Sequence, residues 1–343
     1  MTTAQLGPRG PVVSRLALGT MTFGVETPEP EAHAQLDAFA EVGGTLLDTA
    51  DAYADGESER IVGRWLADRG HDHMLVATKG RYAPPSGSRG ASRRSLVRSL
   101  DASLARLGVD AVDVYFVHGW DEHTPVEETL DALSAEVRKG KAHSVGWSNV
   151  TGWQLARIMI TARLGGFVIP TVLQPQYNLL DRTIELEVLP CALEEGLAVT
   201  PWSPLGGGWL TGKYARDERP TGATRLGEDP GRGVEAYDKR NTGATWRVID
   251  AVRVVAERHG RPLAHVAVAW LLTRPGVASV LLGARTPAQL DATLGAVDLA
   301  LSDDDLAELN TASAPGLPDY PYGMLEEYSE MRVWDTLGTA RTS

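Results

Sequence analysis

The chain has 343 residues, which one α/β barrel can fill as a single domain, and 43% hydrophobic with 23% charged residues is typical of a folded globular protein. The net charge of −12 opposes binding to a phosphate backbone, so nucleic acid is excluded as an expected partner. The apolar stretches, such as 277–283, are far shorter than the roughly 20 residues of a membrane span, and the polar N-terminus has no signal-peptide pattern. We therefore expect a cytoplasmic protein without membrane insertion.

Short β-rich apolar runs alternate with helical patterns, as expected for βα units and a parallel sheet. Helical segments such as 92–107 and 125–138 have the length needed to cross back over that sheet. We predict a (β/α)8 TIM barrel with a core at about 15–310, within one domain over 1–343. The predicted strands are 16–20, 45–49, 74–79, 112–118, 143–148, 172–176, 198–203 and 279–283.

Two segments depart from this βα alternation. Residues 206–243 are rich in Gly, Arg, Asp and Pro and lack periodicity, which predicts a long functional loop after strand 7. The C-terminal tail, 313–343, follows the last predicted helix and could fray or form a flap near the barrel mouth. Its aromatic residues Tyr320, Tyr322 and Trp334 favour the flap.

Four chemically active side chains are predicted at one face of the barrel. Asp48, Lys79 and His118 stand where three predicted strands end, and Tyr53 follows the first of these ends by five residues. Each alone has an ordinary explanation, as a helix cap, a surface charge, a turn residue or a half-buried loop residue. Barrel active sites are built at the carboxyl ends of the strands, so the four together indicate an acid catalyst with its tuning groups.

The chemistry that needs these groups is carbonyl reduction. A carbonyl that receives a hydride develops negative charge on oxygen, and Tyr53 can donate the proton that neutralises it. The Lys79 ammonium favours the phenolate and is expected to lower the pKa of Tyr53, whereas Asp48 keeps Lys79 charged. A neutral His118 can hydrogen-bond the carbonyl oxygen and orient it.

These motifs resemble the aldo-keto reductase superfamily over about residues 15–309. The segments LDTADAY at 47–53, TK at 78–79 and VH at 117–118 match its Asp/Tyr/Lys/His tetrad in order. The resemblance continues in WSN at 147–149, QPQYNLL at 174–180, WSPLGGG at 202–208 and GART at 283–286. It is strongest to bacterial branches related to potassium-channel β subunits and deoxysugar ketoreductases.

The resemblance implies a nicotinamide dinucleotide site. Hydroxyl and amide side chains suit the nicotinamide carboxamide, an aromatic ring suits the flat base, and glycines with a lysine suit the pyrophosphate. A helix cap and a flexible turn are the ordinary alternatives for 148–149 and 206–208. The implied cofactor-binding residues are Ser148, Asn149, Gln174, Trp202, Ser203, Pro204, Leu205, Gly206, Lys213, Arg225, Gly283, Arg285 and Gln289.

One stretch departs from the family pattern. The family often follows its last strand with Gln or Arg and then Glu-Asn three residues later, whereas here Gln289 precedes Ala292-Thr293. The contacts to the adenine are therefore expected to differ. No strand is followed by G-x-G-x-x-G, so a Rossmann site is not supported.

We expect reduction of an aldehyde or ketone with NADPH, rather than NADH, because Arg285 and Arg225 would place charge near the 2′-phosphate. The alternatives are a ketoreductase acting on a nucleotide-linked deoxysugar, and an NADPH-binding redox-sensing accessory subunit with slow turnover. The expected partner is a small carbonyl compound, and a homo-oligomer remains open. A single cysteine, Cys191, and unclustered histidines argue against a metal site.

Overall fold

The computed structural model of the protein describes residues 1–70, 73–82, 89–222, 224–229, 231 and 233–329. Their contacts divide them into two compact units. The first unit contains Met1–Pro175, Glu187–Trp202 and Gly276–Asp291, and the second contains Gln176–Leu186, Ser203–Pro275 and the residues from 292 onward. The single-domain assignment remains a prediction.

A parallel eight-stranded barrel forms the centre of the first unit. Its strands follow one another in chain order, and the last strand pairs with the first. The ring closes where Val199 forms a parallel bridge with Val277 and where the Leu281 N–H donates to the Pro201 carbonyl at 3.0 Å. The strands of the chain are β1 (Thr3–Gln5), β2 (Val12–Ser14), β3 (Leu16–Gly19), β4 (Leu46–Asp48), β5 (Leu75–Gly80), β6 (Val112–Val117), β7 (Ala142–Ser148), β8 (Val172–Gln174), β9 (Ala198–Val199) and β10 (Val280–Leu282).

The predicted (β/α)8 barrel is confirmed, and the eight predicted strands correspond to β3 to β10. The largest difference is at 198–203, where the strand is only Ala198–Val199. Pro201 has no N–H to donate, so the regular ladder stops before it. The antiparallel hairpin of β1 and β2 is an element that the sequence patterns did not predict.

That hairpin lies at the amino end of the barrel. Leu6 and Val13 belong to the same buried cluster as inward-facing barrel residues such as Ala17 and Val114. Gly7 has a positive φ of 73°, and a Cβ there would lie 2.4 Å from the Thr171 carbonyl oxygen, so glycine is needed for this close approach. Since the amino end is covered, the carboxyl ends of the strands are the face left for chemistry.

Helices connect the strands, and their ends follow local capping rules. The helix predicted at 92–107 begins after Ser92, whose Oγ accepts from the Ser95 N–H, and it ends at Gly108 with φ of 69°. The helices are α1 (Glu29–Glu41), α2 (Glu57–Arg69), α3 (Arg93–Leu107), α4 (Val126–Arg138), α5 (Gly152–Gly165), α6 (Val188–Glu194), α7 (Arg225–Glu228), α8 (Tyr237–Arg240), α9 (Gly243–His259), α10 (Leu263–Leu272), α11 (Pro287–Leu294), α12 (Asp303–Ser313) and α13 (Met324–Ser329). Among the described residues, no helix is both long and apolar enough to cross a bilayer.

The second unit contains the long segment predicted after strand 7. Its described part is not a bare loop, because α7 and α8 form within it and Trp209 packs in a buried aromatic cluster. The Trp209 ring stacks on Tyr237 with centroids 5.5 Å apart and meets Trp246 edge-on. Trp334 of the tail lies outside the described residues, and the flap over the barrel mouth remains a prediction.

Candidate active site

The four side chains predicted at the strand ends do lie together in the first unit. Asp48 is the last residue of β4, Lys79 lies near the end of β5, and His118 directly follows β6. Tyr53 begins a short 3-10 turn, Tyr53–Gly56, between β4 and α2. Parallel pairing aligns the ends of neighbouring strands at one edge, so residues distant in sequence converge there.

Lys79 is the centre of this group. Its side chain is fully buried, and its Nζ donates to Asp48 Oδ2 at 2.5 Å, to the Thr49 carbonyl at 2.8 Å and to Tyr53 Oη at 3.2 Å. These three acceptors match the three N–H groups of an ammonium. Asp48 is held from its other side, since its Oδ1 accepts from Gln174 Nε2 at 2.8 Å. The phenol oxygen is thus fixed against a buried, hydrogen-bonded cation.

The electrostatics of Lys79 and Tyr53 combine burial with their mutual attraction. Burial alone would lower the pKa of Lys79, but Asp48 and Tyr53 outweigh it and leave that pKa above its usual value. Burial raises the pKa of Tyr53, and the Lys79 ammonium offsets part of this rise. Lys79 therefore acts in the expected direction, whereas burial, which the sequence interpretation did not weigh, leaves the net pKa of Tyr53 above its usual value. The phenol is protonated at neutral pH, as a proton donor must be.

His118 lies against two tyrosine rings, one of which is the Tyr53 phenol. Its ring meets the Tyr53 ring edge-on, with centroids 5.9 Å apart, and the Tyr82 ring at 5.1 Å. Burial, together with the Lys79 and Arg81 charges, lowers the pKa of His118 to about 3, so the imidazole is neutral at pH 7. Its Nδ1 is buried without a hydrogen-bond partner among the described residues. A neutral imidazole can offer one ring N–H to a carbonyl oxygen.

The residues predicted to hold the nicotinamide carboxamide lie on the next strands of the same unit. Ser148 ends β7 and Gln174 ends β8, and the Ser148 Oγ donates to the Gln174 carbonyl at 2.7 Å. Asn149 has a φ of 54°, and its Nδ2 donates to the His118 carbonyl at 2.9 Å. The half-buried Trp202 indole donates to Asn149 Oδ1 at 3.2 Å. Amide donors, acceptors and an aromatic ring therefore lie next to the tetrad, and this set fits a nicotinamide.

The predicted residues after the last strand form a separate cluster in the same unit. Gly283 is exposed, and a Cβ there would meet open space. The Arg285 N–H donates to Gln289 Oε1 at 3.0 Å, and at the start of α11 the Gln289 N–H donates to Thr286 Oγ1 at 3.3 Å. The Arg285 Nε lies 3.0 Å from Glu26 Oε2, and both side chains are 16% exposed. The sequence interpretation of Arg285 did not include this carboxylate.

The remaining predicted cofactor residues belong to the second unit. Arg225 Nε lies 2.9 Å from Oε2 of the buried Glu235, and the Ser203 Oγ donates to the other oxygen of that carboxylate. The Lys213 Nζ lies 5.2 Å from the centroid of the Tyr214 ring. Pro204 is buried, Leu205 is half-buried, and Gly206 is buried with a φ of 56°.

A buried polar group behind β5 was missed by sequence reasoning. The Asp51 carboxyl is 1% exposed, and its Oδ2 accepts from Ser99 Oγ at 2.6 Å. Burial raises the pKa of Asp51 to about 6. Glu59, also buried, accepts from Thr78 at 2.5 Å and from Arg106 at 2.6 Å. Asp51 lies within the tetrad motif itself, but no local pattern distinguishes a buried from a solvated carboxylate there.

A parallel eight-stranded barrel with a buried acid and amine and a half-buried phenol and imidazole at its carboxyl end defines an α/β-barrel oxidoreductase acting on carbonyl groups. The family model described as the aldo/keto reductase family matches residues 15–314. The chain belongs to this family, as the sequence motifs predicted.

Similar proteins agree with this assignment. An uncharacterized oxidoreductase, YrpG, of Bacillus subtilis is 35% identical over 89% of this chain and 94% of its own length. A probable voltage-gated potassium channel subunit beta of Oryza sativa is 35% identical over 86% of this chain and 90% of its own length. An aryl-alcohol dehydrogenase [NADP(+)] of Phanerodontia chrysosporium is 30% identical over 96% and 90%, respectively.

Proposed function

We propose that the protein reduces an aldehyde or ketone to an alcohol with NADPH, and that Tyr53 is the general acid. The observation that supports this most directly is the buried Lys79 ammonium, bonded at once to Asp48 and to the Tyr53 oxygen. That arrangement holds a protonated phenol beside a cation, which is what proton transfer to a developing alkoxide requires.

In the proposed reaction, His118 orients the substrate oxygen and Tyr53 donates a proton to it. The neutral His118 donates a hydrogen bond that orients the carbonyl. Bound NADPH would supply the hydride for the carbonyl carbon, and the C=O π electrons would then move to the oxygen. The oxygen takes the Tyr53 proton, and the resulting phenolate is stabilised by the Lys79 ammonium 3.2 Å away. Asp48 keeps that ammonium charged throughout, and Tyr53 regains a proton from solvent after the alcohol leaves.

Cofactor binding is proposed on the same unit. The Ser148 hydroxyl, the Asn149 amide and the Gln174 side-chain oxygen would hold the carboxamide, and the Trp202 ring would stack on the nicotinamide. Arg285 would face the 2′-phosphate, with Gly283 and Gln289 beside it. The relative named for NADP(+) favours NADPH over NADH. Cofactor contacts by Ser203, Pro204, Leu205, Gly206, Lys213 and Arg225 remain a prediction.

Replacing the phenol tests this proposal. Tyr53→Phe removes the proton donor and should lower kcat about 100-fold or more, while NADPH binding survives because the hydroxyl serves the transition state. The measurements are steady-state turnover on a panel of aldehydes and ketones, and NADPH titration by fluorescence quenching. Leu164→Ala is the control, since this residue of α5 is 84% exposed and belongs to no predicted site, and it should leave both unchanged. A Tyr53→Phe enzyme with more than about a tenth of wild-type kcat would remove Tyr53 from the role of acid.

A slow redox-sensing accessory subunit is the second candidate function, favoured by the relative named as a potassium channel subunit. Such a protein would complete one hydride transfer and then release oxidised cofactor slowly. Single-turnover and steady-state rates measured on the same carbonyl separate the two functions. Rates that agree within a fewfold favour the enzyme, and a much slower steady state favours the sensor.

A further inference from the structure

The loop after the first barrel strand is attached to the segment after the last one. Thr22 Oγ1 donates to the Ala284 carbonyl at 2.9 Å, and Thr27 Oγ1 donates to the Arg285 carbonyl at 3.0 Å. Within the loop, the N–H groups of Glu26 and Thr27 both donate to the Thr22 carbonyl at 2.9 Å. The backbones of residues 22–27 and 284–285 are thus held in one fixed arrangement.

Glu26 is placed by this arrangement next to the predicted phosphate-binding arginine. Its Oε2 lies 3.0 Å from Arg285 Nε, and each side chain retains 16% exposure. Arg285 Nη2 is buried, but each side chain keeps some exposed surface through which an anion can approach the pair. Arg285, which is predicted to bind the 2′-phosphate, is therefore already paired with a carboxylate.

The Glu26 carboxylate opposes the binding of a 2′-phosphate to Arg285. A phosphate monoester carries a charge of about −1.5 to −2 at pH 7, so it competes with Glu26 for the guanidinium and is repelled by it. The free 2′-hydroxyl of NADH is uncharged, so it neither competes with Glu26 for the guanidinium nor is repelled by Glu26. The presence of Glu26 consequently affects the two cofactors unequally.

We propose that Glu26 is a specificity-determining residue that competes with the 2′-phosphate for Arg285 and so weakens the preference for NADPH over NADH. The inference rests on the proposed function, because it takes Arg285 as the group that meets the cofactor's adenosine ribose. Glutamine at position 26 keeps the size and a hydrogen-bonding oxygen but removes the charge.

The test is equilibrium binding of NADPH and NADH to the full chain, measured by quenching of tryptophan fluorescence at fixed ionic strength. Glu26→Gln should tighten NADPH binding about tenfold relative to NADH. This factor corresponds to about 1.4 kcal/mol, near the lower end of the contribution of one hydrogen bond to a charged group. Glu29→Gln is the matched control, since Glu29 is in the same region but pairs with Arg64 at 2.6 Å. It should leave the ratio of the two dissociation constants unchanged.

A double variant separates competition from simple repulsion. In an Arg285→Ala background, Glu26→Gln should no longer tighten NADPH binding by the same factor, because the arginine that it releases is gone. A gain of the same size without Arg285, or an unchanged cofactor ratio in Glu26→Gln, would overturn the inference. Failure of the wild type to bind either cofactor would instead overturn the proposed function.

Discussion

Two ion pairs at the carboxyl end of the barrel differ in their surroundings. Lys79 and Asp48 are 0% and 3% exposed, whereas Arg285 and Glu26 are each 16% exposed. The Lys79–Asp48 pair is buried and is held by Thr49, Tyr53 and Gln174. Separating its charges would therefore leave a buried charge without a partner, at a large cost in free energy. The second pair keeps contact with solvent, so its charges are partly screened. Burial of the first pair accords with its proposed catalytic role, and partial exposure of the second pair accords with its proposed role in cofactor recognition.

Breaking the buried pair should have the largest effect. Lys79→Met leaves the Asp48 carboxylate buried without its cation, so we expect a loss of about 3 to 5 kcal/mol in the free energy of unfolding. Turnover should fall by about 100-fold or more, because the phenolate loses its stabilising charge. Urea denaturation and steady-state kinetics measure the two effects.

A double variant keeps this prediction testable if Lys79→Met folds poorly. Adding Asp48→Asn removes the orphaned charge and should restore much of the stability without restoring activity. If activity returned with stability, the role of Lys79 would be to support the fold rather than the phenol.

Asp51, whose buried carboxyl forms no ion pair among the described residues, should show a smaller effect with a defined pH dependence. Burial raises the pKa of Asp51 to about 6, whereas an aspartate in the unfolded chain has a pKa of about 3.9. The folded protein therefore binds this proton more tightly, and the Asp51 contribution to stability falls as pH rises from about 4 to about 6. Asp51→Asn should be more stable than wild type by about 2 kcal/mol at pH 7.5, with little difference near pH 4.

Urea denaturation across this pH range measures the Asp51 effect. Asp68→Asn, at an exposed position, is the matched control for the loss of one aspartate charge. A wild-type and Asp51→Asn difference that stayed constant from pH 4 to pH 7.5 would show that Asp51 titrates normally.

The partly exposed pair of Arg285 and Glu26 should contribute least to stability. Arg285→Ala is expected to lower the free energy of unfolding by about 1 kcal/mol, because solvent still reaches both side chains and weakens their attraction. NADPH binding should weaken about tenfold, at the low end for a charge-assisted contact, while NADH binds nearly as before. A stability loss near that of Lys79→Met would contradict the distinction between the two pairs.

The barrel and the tetrad could be predicted because their signals are local. Strand ends such as Asp48 and Lys79 follow apolar runs directly, and parallel pairing aligns these ends. The partners of the predicted residues could not be predicted in the same way. Glu26 and Arg285 are separated by 259 positions, and nothing in either segment indicates that they meet. The net pKa of Tyr53 was also out of reach, because burial depends on packing that spans several elements.

The hydrogen bond from Gln174 to Asp48 joins β8 to β4, strands that are not neighbours in the barrel. Gln174 belongs to the group proposed to hold the carboxamide. Asp48 accepts a hydrogen bond from the Lys79 ammonium, which lies beside Tyr53, the proposed acid. A ligand that moves the Gln174 amide would therefore disturb Asp48 and, through Lys79, the surroundings of Tyr53. Linkage makes that coupling reciprocal, so the charge arrangement around Tyr53 must in turn influence how tightly the carboxamide is held. Under the proposed roles, cofactor binding and the acidity of Tyr53 are two equilibria linked by one coupling free energy.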